Sequence, residues 1–92
     1  MILSFKHKGL YEFFKTGSLK GIQAKHAQRL RDILTLLSAA EKPEDMDRPG
    51  YMLHLLNPKR ERIYSVRVSG NWRVTYRFTA AGPEIVDYLD YH

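Results

Sequence analysis

Ile63-Tyr64-Ser65-Val66-Arg67-Val68-Ser69-Gly70-Asn71-Trp72-Arg73-Val74-Thr75-Tyr76-Arg77-Phe78 is the run whose reading decides the fold. Two stretches of β-branched and aromatic residues flank Ser69-Gly70-Asn71, a turn signal, so the run predicts an antiparallel hairpin. Side chains alternate across a strand. Trp72, Val74, Tyr76 and Phe78 therefore share one face, with Arg73, Thr75 and Arg77 on the other. In the preceding strand Tyr64, Val66 and Val68 oppose Ser65 and Arg67 in the same way. Such a sheet has an apolar side to bury and a cationic side left in water. After Ala80-Ala81-Gly82-Pro83, the segment Glu84 to His92 reads as a third strand. It closes on acid, phenol and imidazole at Asp90, Tyr91 and His92.

Upstream, Tyr51 to Leu56 alternates as another strand, and Asn57-Pro58-Lys59-Arg60-Glu61 turns it into the hairpin. Ile22, His26, Leu30, Ile33, Leu34 and Leu37 follow helical spacing, which predicts a long helix over Ile22 to Glu41 that Pro43 ends. On that stripe His26 reads as a packed histidine. Glu41 to Gly50 is polar and proline-containing, a connecting loop. Lys8 to Lys15 has Leu10, Phe13 and Phe14 at helical spacing and is stopped by Thr16-Gly17-Ser18, while Ile2 to Phe5 suits a short first strand. The expected class is α+β: an N-terminal strand and two helices packed on an antiparallel sheet of about four to five strands. Residues 1–92 are expected to form one domain.

The chain has no cysteine, so a disulfide framework and thiolate metal sites are excluded, and a reducing cytoplasm fits. Met1 to Lys8 has too short an apolar run for a signal peptide, and no segment reaches membrane-spanning length. A soluble intracellular protein is expected. The net charge is +5, and its placement is uneven: between Asn57 and Phe78 six basic residues face the single acid Glu61. A localised cationic patch suits a polyanion, nucleic acid first. It also suits a charged strand face that discourages edge pairing.

Glycine-rich phosphate loops, His-Glu-x-x-His pairs and zinc spacings are absent, and the histidines at 7, 26, 54 and 92 lack ligand spacing, so no metal or cofactor is expected. Arginines, His54 and the Asp-Tyr-His end remain. Cutting RNA without a metal needs a base for the 2′-hydroxyl, an acid for the departing 5′-oxygen and cations for the phosphorane. Histidine is poised to exchange protons near neutrality, and arginine grips phosphate through two parallel hydrogen bonds. His54 reaches the Arg73 side only if its strand presents that face. The plainer readings are a frayed terminal histidine, sheet tyrosines and surface aspartates at 87 and 90.

At these residues the chain resembles the HigB toxins of bacterial toxin–antitoxin systems, in the RelE/ParE superfamily. The likeness is carried by Ile2 to Leu10, Leu53-His54-Leu55, Tyr64 to Arg73, and Asp90-Tyr91-His92. It implies a microbial-ribonuclease-like fold and a toxin that cuts messenger RNA in the decoding site of the 70S ribosome. It also implies a HigA-like helix-turn-helix antitoxin, through which alone the toxin would meet operator DNA. By this resemblance Arg73 stabilises the scissile phosphate, and His54, Asp90, Tyr91 and His92 form the active-site cluster. Asn71 positions substrate, and Lys59, Arg60 and Arg62 contact RNA. Relatives often carry a basic residue where Ser69 stands; Arg67, read as lying on the same strand face, can take its place.

Three functions follow from these residues. One is a ribosome-dependent messenger endoribonuclease using acid–base chemistry without a metal. The others are a ParE-like inhibitor of DNA gyrase that cuts nothing, and a non-catalytic RNA-binding module. The proton-transfer groups at His54 and residues 90–92 favour the first.

Overall fold

The computed structural model describes residues 1–56 and 62–91. Lys59, Arg60 and His92, three of the expected site residues, lie outside the described residues.

Among the described residues four antiparallel strands run in the order β1 (His54–Leu56), β2 (Ile63–Ser69), β3 (Trp72–Thr79) and β4 (Gly82–Asp90). Each strand neighbours the next in the chain, the order expected of an antiparallel meander. Gly70, at φ +58°, supplies the left-handed conformation that the tight β2–β3 turn needs. Val66, Val74, Tyr76, Val86 and Tyr88 are buried beneath the helices α1 (Lys8–Thr16) and α2 (Ala27–Ala39). From the helices come Leu10, Phe13, Leu30, Ile33, Leu34 and Leu37. Full burial of an aliphatic or aromatic side chain contributes about 1.5–3 kcal/mol, so this double layer holds the sheet's apolar face firmly.

α1 begins where the His7 ring nitrogen Nδ1 accepts the Leu10 N–H at 2.9 Å. It ends at Gly17, whose left-handed backbone directs its N–H to the Phe13 carbonyl. α2 is shorter than its periodicity suggests. Gly21 turns at φ +87°, and Ala24–His26 form a 3-10 turn before the α-helix starts at Ala27. At the other end the helix stops at Ala39, and Asp45 accepts the N–H groups of Glu41 and Lys42 at 2.9 and 3.3 Å. Pro43 opens a second 3-10 turn, Pro43–Met46, at a position where its missing N–H costs nothing. The segment read as a polar loop thus contributes Met46, fully buried, to the core.

Two expected strands are reduced. Met52 adopts φ +51°, which takes Tyr51 to Leu53 out of regular pairing and leaves β1 only three residues long. Residues 2–6 do not form a strand. They run beside β4 with one parallel bridge, Phe5 to Val86, and hydrogen bonds from Leu3 N–H to Pro83 O and Lys6 N–H to Val86 O at 2.7 and 2.8 Å. β4 carries a bulge opposite Tyr76, where Ile85 takes φ +47°, unusual for a β-branched residue. Ser4 Oγ accepts the Ile85 N–H at 2.9 Å, so the N-terminal segment holds the bulge in place.

Candidate functional site

Register decides what the open face of the sheet displays. His54 lies opposite Ser65, Ser65 opposite Thr75, and Thr75 opposite Asp87. Directly opposed residues point to the same side, so these four form one row across all four strands. The adjacent row is Arg67, Arg73 and Leu89. His54 therefore presents its even-numbered face to the arginine side. His54 and Arg67 are exposed and Arg73 is half-buried.

Tyr91 follows β4, exposed, with its N–H donated to the Asn71 carbonyl at 2.8 Å. That bond ties the end of the chain to the β2–β3 turn and sets the exposed Asn71 next to Tyr91. Register pairs Asp90 with Trp72, on the side of the helices, not with the arginine row. Arg62 is exposed just ahead of β2. The structure thus gathers His54, Arg67 and Arg73 on one surface, sets Tyr91 and Asn71 together at its end, and turns Asp90 to the other side.

Two expectations about the cationic face change. Alternation predicts that Arg67 and Ser69 share a face, but a register shift lies between them. Ser69 is opposed to Trp72 and Arg67 to Arg73, so the two positions are not equivalent. Arg77 is neutralised within the sheet: its Nε donates to the Glu84 carboxylate at 2.7 Å. Among the described residues, Arg67 and Arg73 stay together at the other end of β3 from that ion pair.

Beside these rows lies an open pocket of about 240 Å³. Thr75 contributes to it from an interior strand, Leu56, Ile63 and Leu89 supply apolar sides, and Tyr91 adds a ring. Lys6 and Asp87 complete the lining. Lys6 is not among the residues the sequence pointed to, because its place depends on residues 2–6 docking beside a strand some 80 positions later, as in the Phe5–Val86 bridge. Arg29 is another residue that spacing did not reveal. It donates to the carbonyls of Gly50 (2.8 Å) and Arg67 (3.0 Å) and lies over the Tyr51 ring at 4.3 Å, fixing β2 just where Arg67 projects.

Behind the sheet, His26 and Tyr88 are joined at 2.7 Å between Nδ1 and the phenol oxygen. Trp72 packs on Tyr88 at a tilt with ring centroids 4.7 Å apart, and His7 makes an edge contact with it at 5.4 Å. Burial, with Lys25 adding repulsion, lowers the pKa of His26; burial raises that of Tyr88. His26 is thus a packed neutral residue, as its place on the helical stripe suggests. Among the described residues no three His, Asp or Glu side chains converge as ligands for a metal ion. No helix there is long and apolar enough to cross a membrane.

Two helices on one face of a four-stranded antiparallel sheet, with a cationic opposite face, define a RelE-like α+β protein. A family model described as a RelE-like toxin of type II toxin–antitoxin system HigB matches residues 3–92. The chain is also similar to the Endoribonuclease HigB of Proteus vulgaris, at 39% identity over 92 residues that cover 100% of both chains. The protein belongs to the HigB-like family of type II toxins, and membership implies an antitoxin partner.

Proposed function

We propose that the protein is an endoribonuclease toxin that cuts messenger RNA during translation on the 70S ribosome. The observation that carries this reading is the register of the open face, which puts His54, Arg67 and Arg73 on one side of the sheet, with a pocket on that side lined in part by Tyr91. The name of the Proteus vulgaris relative supports the same activity.

In this mechanism a base, drawn from His54, Tyr91 and His92, takes the 2′-hydroxyl proton as that oxygen attacks the neighbouring phosphate. A second member of the set protonates the departing 5′-oxygen. Arg73 holds the phosphate through paired hydrogen bonds as charge accumulates on it, and Arg67 adds a second cation. Asn71, Lys59, Arg60 and Arg62 bind the RNA chain. Ribosome dependence follows from the shallow, open site: such a surface does little to bend a free strand, so alignment has to come from the bound complex. The antitoxin is of the HigA helix-turn-helix kind and is the only link to operator DNA, and the toxin acts in the cytoplasm.

The test is cleavage of a defined messenger in a reconstituted translation reaction, with and without ribosomes. Cuts are expected only with ribosomes, and Arg73→Ala should reduce them about 10²–10³-fold without moving the melting temperature. Absence of cuts by the wild-type protein would overturn the reading and leave gyrase inhibition or plain RNA binding to be measured.

A further inference from the structure

The open-face pocket contains a feature that phosphate binding does not account for. Asp87 places a carboxylate on a surface otherwise suited to a polyanion, and a carboxylate repels phosphate. Its Oδ1 already accepts the Tyr88 N–H at 2.9 Å, so its orientation is fixed and Oδ2 remains to accept from a visitor. Lys6 lines the same pocket, and the two are not joined as an ion pair. The apolar side chains of Leu56, Ile63 and Leu89 line the same pocket, together with the Tyr91 ring. A flat apolar slot with one acceptor, one donor and an adjacent aromatic ring suits a nucleobase, not a backbone. Its volume, about 240 Å³, admits a single base.

Position points the same way. Arg73 and Thr75 are two residues apart on β3, about 7 Å along the strand, and Thr75 faces Asp87 across the ladder. A phosphate held at Arg73 therefore leaves the base of an adjoining nucleotide within reach of the pocket.

We propose that this pocket is a base-reading subsite in which Asp87 and Lys6 select a base bearing an exocyclic amino group and discriminate against uracil. The proposal rests on the endoribonuclease reading above. Adenine, cytosine and guanine each offer an amino group to the carboxylate, with a ring nitrogen or carbonyl beside it to accept from Lys6. Uracil flanks its one N–H with carbonyl oxygens on both sides and brings one of them against Asp87. An unpaired carboxylate–carbonyl contact of this kind is the repulsive half of a specificity device.

The experiment maps cut sites across a messenger library in the ribosome reaction for wild type, Asp87→Asn and Lys6→Met. Wild type should disfavour uracil at one fixed position relative to the cut by about tenfold, the size of a single base-edge contact. Asp87→Asn, whose amide can donate to a carbonyl, should admit uracil there, and Lys6→Met should flatten the preference. A wild type that cuts without any preference at that position overturns the proposal, as does an unchanged cut-site distribution in both variants. A wild type that does not cut at all removes the endoribonuclease reading instead. A second measurement needs neither turnover nor the variants. In methyl NMR spectra of the wild type, the Leu56, Ile63 and Leu89 signals should move with the 3′-monophosphates of adenosine, cytidine or guanosine, and less with that of uridine. No movement of these methyls with any of the four overturns the subsite.

Discussion

Removing one oxygen atom tests how the back of the sheet is held. In Tyr88→Phe the ring stays, and with it the contacts to Trp72 at 4.7 Å and His7 at 5.4 Å; the phenol oxygen is lost as the partner of His26 Nδ1 and of the Gln23 backbone. His26 is 2% exposed and its Nε2 already lacks a hydrogen-bond partner. The variant thus leaves an imidazole buried with neither nitrogen satisfied. Leaving such a group without a partner costs about 1–3 kcal/mol. In a chain of this size each kcal/mol lowers the melting temperature by roughly 4–8 °C. Urea unfolding at neutral pH should show that loss with the slope of the transition unchanged. RNA cleavage well below the melting temperature should survive, because Tyr88 faces the helices. In a His26→Leu background the same Tyr88→Phe change should cost about 1 kcal/mol less, since the partner is gone. Costs that simply add, or a Tyr88→Phe loss under about 0.5 kcal/mol, would refute the idea that this bond matters.

Stability should also fall as pH drops below the ordinary histidine value of 6.5, because burial holds His26 below it in the folded protein. Protons then bind the unfolded chain in preference; above that value both states carry the neutral ring and the effect vanishes. Unfolding curves from pH 5 to 8 for wild type and His26→Leu should converge toward acid, and parallel curves would remove His26 from the pH response. Arg29→Lys should lower stability by about 1–2 kcal/mol, because an ammonium cannot hold two carbonyls while lying flat on Tyr51; an unchanged urea midpoint would argue against it. Gly82 has φ +137°, and a Cβ there would lie 2.5 Å from the Met1 carbonyl oxygen. Gly82→Ala should therefore cost about 1–3 kcal/mol and speed amide exchange at Leu3 and Lys6, whereas unaltered exchange would refute the clash. Arg67→Gln should reduce the salt slope of single-stranded RNA binding by about 0.7, and an unchanged slope would take Arg67 off the RNA.

The hairpin and the hidden face were legible because strand alternation is a local property: Val66, Val74 and Tyr76 are buried where their parity puts them. The helix limits were less so. Nothing in the periodicity from Ile22 reveals that Gly21 and a 3-10 turn delay α2 until Ala27. The face of His54 depends on pairing between β1 and β2, a relation between segments that parity within one strand does not contain. Arg67 and Ser69 illustrate the opposite failure, in which a bulge breaks parity over two residues. Lys6 was invisible for a third reason: its neighbours in the pocket come from the other end of the chain.

That last arrangement bears on how the chain comes to be made. Residues 3–6 have their hydrogen-bond partners in Pro83 and Val86, and β4 contributes Asp87 and Leu89 to the pocket. Residues 3–6 have no strand to dock beside until β4 has emerged. Contacts this distant in sequence form late and exact their loop-closure entropy first. The open-face pocket is therefore assembled only after β4 has been made. An abandoned fragment ending before β4 would lack both Asp87 and the strand that brings Lys6 beside it.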